Sequence, residues 1–289
     1  MLLLVPRAFA AEWVHLSSAR GEIPTPNDDG AEQVNALIFD VDLDGRNDFV
    51  VGERRGAPGV VWFRRDSDSF TRFPIEMNQA DVTSSAAFYD LDRDGDLDVI
   101  MGGSHLSDEI WWWENPFPEY DASTPWTRHT IKRSGGKQHH DIIIGDFDSD
   151  GADELAFWSL VPEHELHIGK IPDDPRAGPW SFSLVHSTGD QYSEGLVSVD
   201  VDLDGRLDVV AGGYWLKHTS DLSFDAHEIA PSRSHARVAA GDIVTGGRPE
   251  VVFVDGHGKG PLEWHEWSEE AEAWIAHALV EEVERGHSL

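Results

Sequence analysis

Carboxylate side chains recur at one fixed spacing in four segments of this 289-residue sequence. Each segment has acids at positions 1, 3, 5 and 9 and a glycine at position 6, as in DVDLDGRND at residues 40–48. Clustered oxygen ligands suit a hard cation such as Ca²⁺, and glycine permits the sharp turn that wraps them around it. We therefore predict about four calcium sites. The predicted ligands are Asp40, Asp42, Asp44 and Asp48; Asp90, Asp92, Asp94 and Asp98; Asp146, Asp148, Asp150 and Glu154; and Asp200, Asp202, Asp204 and Asp208.

The EF-hand is the competing interpretation of this loop. It requires a glutamate at position 12 and flanking helices, whereas position 12 is apolar in all four segments. A fifth copy, the Asp242 loop, has Val244 and Gly246 where ligands should stand, so no ion is expected there. Because each loop supplies its own ligands, a structural role for calcium is favoured over a catalytic one.

A second pattern recurs in phase with the acidic loops and indicates how the chain is organised. An aromatic residue is followed by His, Phe or Ser three positions later and by an aliphatic residue five positions later, as at Trp126, His129 and Ile131. Short apolar runs between the two patterns complete four strands per repeat, the signature of propeller blades. A stack of unrelated hairpins is the alternative.

The predicted fold is an all-β propeller of four-stranded blades, with five blades in this chain and about seven in a larger propeller of which it is an excerpt. Residues 11–289 are predicted to form one domain, with blades at about 33–76, 83–132, 139–186, 193–230 and 235–280. The recurring histidines of the second pattern, at positions 129, 227 and 277, are expected to pack between blades.

Composition excludes several classes of function. With 22 Lys and Arg against 54 Asp and Glu, the net charge of −32 argues against binding to nucleic acid and against docking on an anionic membrane. No apolar run is long enough for membrane insertion. The absence of cysteine excludes disulfides, zinc–thiolate sites and thiol nucleophiles. The composition of residues 1–10 is typical either of a truncated secretory signal peptide or of an ordinary first strand. A secreted, extracellular or periplasmic location is expected, since weak calcium sites fit a calcium-rich exterior.

The acidic loops, each followed by an apolar strand and in two cases by Gly-Gly, resemble the FG-GAP/VCBS repeat family. The resemblance covers residues 33–289. It implies a calcium-stabilised β-propeller like those of integrin α-chains, some lectins and sugar-active proteins. Segments such as WWWEN at 111–115 are similar to the branch that includes aldos-2-ulose dehydratase and propeller-type polysaccharide lyases. A shared scaffold does not fix the activity.

If the acidic loops lie at one end of the propeller, the hairpins and connections at the other end bring a second set of side chains to the axis. Histidines suited to proton transfer are the catalytic candidates: His139, His140, His235 and His257. Cations and aromatic rings suited to an anionic sugar are the substrate-binding candidates: Arg54, Arg55, His105, Tyr214, Trp215 and Lys259. Tyr192 or Tyr214 is the candidate acid.

Two functions remain open at this stage. The first is a secreted carbohydrate-binding propeller that holds an acidic sugar or polysaccharide, with or without lyase or dehydratase activity. The second is a non-catalytic adhesion propeller of the integrin α type, which binds an extracellular protein and would expose an apolar patch.

Overall fold

The computed structural model describes residues 14–26 and 32–287, and the predicted signal segment, residues 1–10, lies outside them. Within the described ranges, twenty strands form five antiparallel sheets, each built from four consecutive strands in sequential order. The predicted all-β propeller is confirmed. We number the sheets as blades 1 to 5.

The strand bounds follow the repeats. Blade 1 contains β1 (Gln33–Phe39), β2 (Asp48–Glu53), β3 (Val60–Arg65) and β4 (Phe70–Glu76); blade 2 contains β5 (Val82–Tyr89), β6 (Asp98–Gly103), β7 (Glu109–Glu114) and β8 (Thr127–Arg133). Blade 3 contains β9 (Lys137–Gly145), β10 (Glu154–Val161), β11 (His164–Lys170) and β12 (Ser183–Gly189). Blade 4 contains β13 (Leu196–Val199), β14 (Asp208–Ala211), β15 (Tyr214–Ser220) and β16 (Ser223–Glu228); blade 5 contains β17 (Ala236–Gly241), β18 (Glu250–Asp255), β19 (Lys259–Ser268) and β20 (Ala273–Glu284). Two single-turn 3₁₀ segments, Ser18–Arg20 and Pro231–Arg233, are the helical elements of the described ranges.

Strand alternation divides the apolar residues of each blade between its two neighbours. On β7, Trp111 and Trp113 pack in the cluster shared with blade 1, whereas Trp112 packs in the cluster shared with blade 3. Successive side chains of a strand point to opposite faces, so three consecutive tryptophans fill two inter-blade layers. The core is a series of such layers rather than one central mass.

The recurring histidines of the outer strands form cross-strand pairs within their own blades. His129 lies opposite Trp112 in register, with ring centroids 4.4 Å apart. His277 pairs in the same way with Trp264, also at 4.4 Å, and blade 4 repeats the arrangement. Stacking across two strands stabilises the outer hairpin, so these side chains have a structural role.

The first strands of consecutive blades, β1, β5, β9, β13 and β17, contact one another in that order and line the axis. Each runs from one end of the axis to the acidic loop at the other end. The two ends of the axis therefore carry different side chains. We call the end with the acidic loops the acidic-loop end and the opposite end the mouth.

No helix in residues 14–26 or 32–287 has the length and apolar character needed to cross a membrane.

Candidate functional site

The acidic loops join the first and second strands of blades 1 to 4. In blade 1 the Asp40 carboxylate accepts the backbone N–H groups of Asp44 (3.0 Å) and Gly45 (2.8 Å), and the first aspartate of the other three loops does the same. Gly45 has φ +88°, and Leu43 adopts φ +54°, which is costly for a branched side chain. Position 4 is left-handed in all four loops, so one turn geometry is imposed throughout.

Each of these loops brings three carboxylates together. One oxygen from each lies within 4.8 Å of the other two. The groups are Asp40, Asp42 and Asp48; Asp90, Asp92 and Asp94; Asp146, Asp148 and Glu154; and Asp200, Asp202 and Asp208. Of the sixteen predicted ligands, four lie outside these groups: Asp44, Asp98, Asp150 and Asp204.

Several oxygens in these groups are buried without a hydrogen-bond partner. They are one carboxylate oxygen of each of Asp42, Asp92, Asp202 and Glu154. Burial, followed by the neighbouring Asp44, raises the pKa of Asp42, and burial raises the pKa of Glu154 to about 7. A buried, unpaired carboxylate oxygen is costly, and a hard dication would satisfy it. The residues present therefore fit a calcium ion.

Basic side chains offset part of this negative charge. Lys170 Nζ lies 2.7 Å from an Asp148 oxygen, and Lys217 contacts Asp202 in blade 4. Arg176, in the loop before β12, reaches across to blade 2, where it contacts Asp92 and makes a two-pronged bond to Glu114 (3.0 and 2.8 Å). Arg176 thus ties blade 3 to the acidic loop of blade 2.

The acid at position 9 braces the loop against the rest of its blade. In blade 4, Asp208 accepts the N–H groups of Val201 (3.1 Å), the Trp215 indole (2.8 Å) and His218 (2.8 Å). In blade 5, Glu250 accepts two backbone N–H groups of the Asp242 loop, although that loop lacks the ligand positions. The brace is therefore also found in a loop that lacks the ligand positions.

A polar cavity of about 860 Å³ opens at the mouth and is lined by residues from all five blades. Its wall contains ionisable and hydrogen-bonding groups such as Arg54, Ser84, His140, Glu194 and Arg237. Concave sites with convergent polar groups are where small ligands bind most often.

Glu194 is the hub of this wall, and its side chain is fully buried. It accepts hydrogen bonds from the Tyr192 hydroxyl (2.6 Å) and His257 Nε2 (3.1 Å), and Arg237 Nη2 lies 3.2 Å away. Burial alone would raise the pKa of Glu194, but His140, Arg237 and the two hydrogen-bond donors outweigh it and lower that pKa. Glu194 is therefore a buried carboxylate held in its ionised form.

Arg237 and His140 stand beside this hub. Arg237 Nη1 lies 3.4 Å from Asp141 and 3.5 Å from His140 Nδ1, while Arg237 Nε is buried without a partner. Burial, reinforced by the positive charge of Arg237, lowers the pKa of His140 despite the nearby carboxylates Asp141 and Glu194. The mouth thus presents a neutral imidazole next to a guanidinium.

The structure brings only some of the predicted ligand-binding residues to this cavity. Arg54, His140 and His257 line it. His235 stacks on Tyr192 at its rim, with ring centroids 4.8 Å apart. His139, adjacent to His140, is buried inside blade 3, 3.3 Å from Lys132 Nζ, where burial and then Lys132 lower its pKa to about 3.

The other predicted residues lie away from the cavity lining. Trp215 is buried against Asp208, and Tyr214 packs on His186 in the layer between blades 3 and 4. Lys259 pairs with Glu282 and Glu284 on the exposed outer strand. Arg55 and His105 are exposed side chains that do not line the cavity.

Two important residues of the mouth, Asp141 and Arg237, were missed by the sequence reasoning. Strand β9 shifts register opposite Phe157 and Trp158, and Gln138 and Asp141 have φ +56° and +47°. A bulge re-aims side chains relative to simple alternation, which is how both His140 and Asp141 reach the cavity. Arg237 follows an alanine in an otherwise apolar strand, a pattern that gives no signal of function.

Comparisons with known proteins agree with this architecture. Residues 40–101 and 90–157 match the FG-GAP-like repeat profile, so such repeats are present in blades 1 to 3 and the resemblance drawn from the sequence is confirmed there. No curated protein gives a significant match.

Solved structures that match include the V. cholerae biofilm matrix protein Bap1, with TM-score 0.50, 15% identity, and coverage of 84% of this chain and 40% of that chain. The exotype rhamnogalacturonan lyase YesX also matches, with TM-score 0.47, 14% identity, and coverage of 82% and 49%. The chain spans less than half of the length of either protein. At this identity, the likeness to Bap1 shows a shared fold.

Proposed function

We propose that this protein is a secreted, calcium-stabilised propeller that binds an acidic carbohydrate at its mouth. The observation that carries the proposal is Arg237, a nearly buried guanidinium that lines a polar cavity on a chain of net charge −32. A carboxylate in the cavity would accept a charge-assisted hydrogen bond from the part of this guanidinium that faces it.

The surroundings of Arg237 favour a polyhydroxylated anion over a simple one. Arg285 adds positive charge to the same wall, and so does Arg54, which is paired with Glu32 at 2.7 Å, although the chain carries −32 overall. Ser84, Asn35 and Gln138 offer neutral hydrogen-bonding groups around them. A uronic acid combines a carboxylate with several hydroxyl groups and so matches both sets.

The same groups could perform an elimination. His140, held neutral by its lowered pKa, would accept the proton next to the carboxylate, and Arg237 would stabilise the charge that develops there. The proton that His140 accepts would pass on to the leaving oxygen, because the Tyr192 hydroxyl already donates to Glu194 at 2.6 Å and burial, followed by Glu194, raises its pKa. His257 would orient Glu194 rather than react, since its Nε2 is hydrogen-bonded to that carboxylate.

Calcium belongs to the opposite end and to a different role. The three-carboxylate groups with their unpartnered oxygens support an ion in each of the loops of blades 1 to 4. Such an ion would convert mutual repulsion of the acids into a cross-link between the first two strands of a blade. Loops of this kind fit a calcium-rich exterior, which is why we place the protein outside the cell.

The test is a titration with uronic-acid oligosaccharides, followed by calorimetry and by ultraviolet absorbance of an unsaturated uronate product. Arg237→Gln should lower affinity at least about tenfold, because it removes a charge-assisted contact. Arg248→Gln, in the Asp242 loop at the opposite end of the axis, should bind like wild type. Absence of binding by the wild-type protein would refute the carbohydrate proposal, and binding without product would leave a binding protein that is not an enzyme.

The second candidate, a non-catalytic matrix or adhesion propeller, is favoured by the fold shared with the biofilm matrix protein Bap1. It predicts binding to a matrix polymer or an extracellular protein with no turnover. The absorbance measurement separates it from the elimination.

A further inference from the structure

The axis of the propeller changes character along its length. At the mouth the lining is polar, whereas nearer the acidic-loop end a second cavity of about 380 Å³ is lined mainly by apolar side chains. Phe88, Ile142, Ile144 and Val197 belong to this apolar stretch, which we call the axial groove. Phe88 is 39% exposed and stacks on Phe39 at 4.5 Å.

The polar mouth and the axial groove are adjacent. Ala86 lines both, and β9 leads from His140 and Asp141 in the mouth directly to Ile142 and Ile144 in the groove. Four residues of strand span about 13 Å, which accommodates a short hydrocarbon chain. The small side chain of Ala86 leaves room at the junction.

The exposed Phe88 and the partly exposed Ile144 and Val197 leave an uncovered apolar surface along this groove, whereas Ile142 is buried. Apolar area gains free energy when it leaves water. An occupant that extends from the mouth would cover them. Since its polar end would lie against Arg237 and His140, its other end must be apolar to match Phe88 and Ile144.

We infer that the ligand is amphipathic: an acidic sugar whose carboxylate is held in the mouth and whose apolar substituent lies in the axial groove. This inference rests on the proposed function, because it takes the position of the acidic end from Arg237. It narrows the substrate class from acidic carbohydrates in general to acylated, alkylated or aryl-substituted ones.

The experiment compares three soluble probes, each below its micelle-forming concentration: methyl glucuronide, octyl glucuronide and octyl glucoside. The wild-type protein should bind octyl glucuronide at least about tenfold more tightly than methyl glucuronide, because several methylene groups leave water. Phe88→Asp should abolish that gain and leave methyl glucuronide binding unchanged. Leu279→Asp introduces the same charge at an exposed apolar position on β20 and should retain the gain.

The outcomes separate the two proposals. Equal affinity of the wild-type protein for methyl and octyl glucuronide, or a gain that survives Phe88→Asp, would overturn the amphipathic ligand and leave acidic-sugar binding standing. Equal affinity for octyl glucoside and octyl glucuronide would support binding of the alkyl chain in the axial groove and would refute the requirement for an acidic sugar. Failure to bind any probe would refute both. Thermal melting of Phe88→Asp and Leu279→Asp verifies that both variants are folded.

Discussion

Replacing Asp208 with alanine tests whether the acid at position 9 is a brace as well as a calcium ligand. Its carboxylate accepts three N–H groups, from Val201, the Trp215 indole and His218. Asp208 is fully buried, so the substitution leaves all three donors without an acceptor. Each such donor costs about 1–3 kcal/mol, and the sum is at least about 3 kcal/mol out of a typical 5–15 kcal/mol of folding free energy.

The assay is urea unfolding of wild type and variant, with saturating calcium and with a chelator. We expect the loss of at least about 3 kcal/mol to persist in the chelator, with a further loss in calcium because the ion site is also damaged. Glu250→Ala is the matched control. It removes the same kind of brace, with two N–H bonds at 2.8 and 3.1 Å, from a loop without ligand positions, and its effect should be identical in both conditions.

The reasoning fails if Asp208→Ala and wild type have equal stability in the chelator. The carboxylate would then contribute only through the ion, and the three short N–H contacts would have no net value. A Glu250→Ala variant whose stability loss depends on calcium would likewise show that the Asp242 loop binds an ion, against the expectation from its sequence.

Three further predictions concern the ion, the buried lysine and the histidine pair. Asp202→Ala should reduce the calcium stoichiometry measured by calorimetry from about four to three and lower the melting temperature only when calcium is present. Burial lowers the pKa of Lys132 to about 8 in the folded protein, whereas the unfolded lysine keeps its proton up to about pH 10.5. Below about pH 8 the folded state therefore bears the full free-energy cost of burying the charge. This cost decreases as the pH rises towards 10.5. The stability of wild type relative to Lys132→Met should therefore increase over that interval, and the exposed control Lys137→Met should show no such trend. For the proposed elimination, His140→Gln should abolish product formation, whereas His139→Gln should lower the melting temperature by several degrees and preserve product formation.

The acidic loops could be predicted in detail because their determinants are local. Position 1 binds backbone N–H groups four and five residues later, so the turn is encoded within nine residues. The flanking apolar strands then fix which sheet the loop joins. Sequence could not show which three oxygens of a loop converge, because that depends on side-chain orientation. Asp98 and Asp208 accept equivalent backbone N–H groups, yet only Asp208 belongs to a three-carboxylate group.

The mouth was less predictable because its residues come from five blades and depend on strand register. His139 and His140 are neighbours in sequence, and alternation sends one to the axis and the other into the blade, but the sequence does not say which. The register shift in β9 and the left-handed Asp141 decide it. Trp215 was misleading for a related reason, since the same indole that could stack on a sugar donates its N–H to Asp208.

The two ends of the axis accommodate the high negative charge of this chain in different ways. At the acidic-loop end, the carboxylates lie where backbone N–H groups and basic side chains compensate their charge. Glu250 forms the same kind of brace in a loop that lacks the ligand positions. At the mouth, Glu194 is buried against Arg237 and accepts hydrogen bonds from His257 and Tyr192, so its negative charge is compensated internally. Because the acids there are already compensated, the mouth can attract an anion on a protein that repels anions elsewhere.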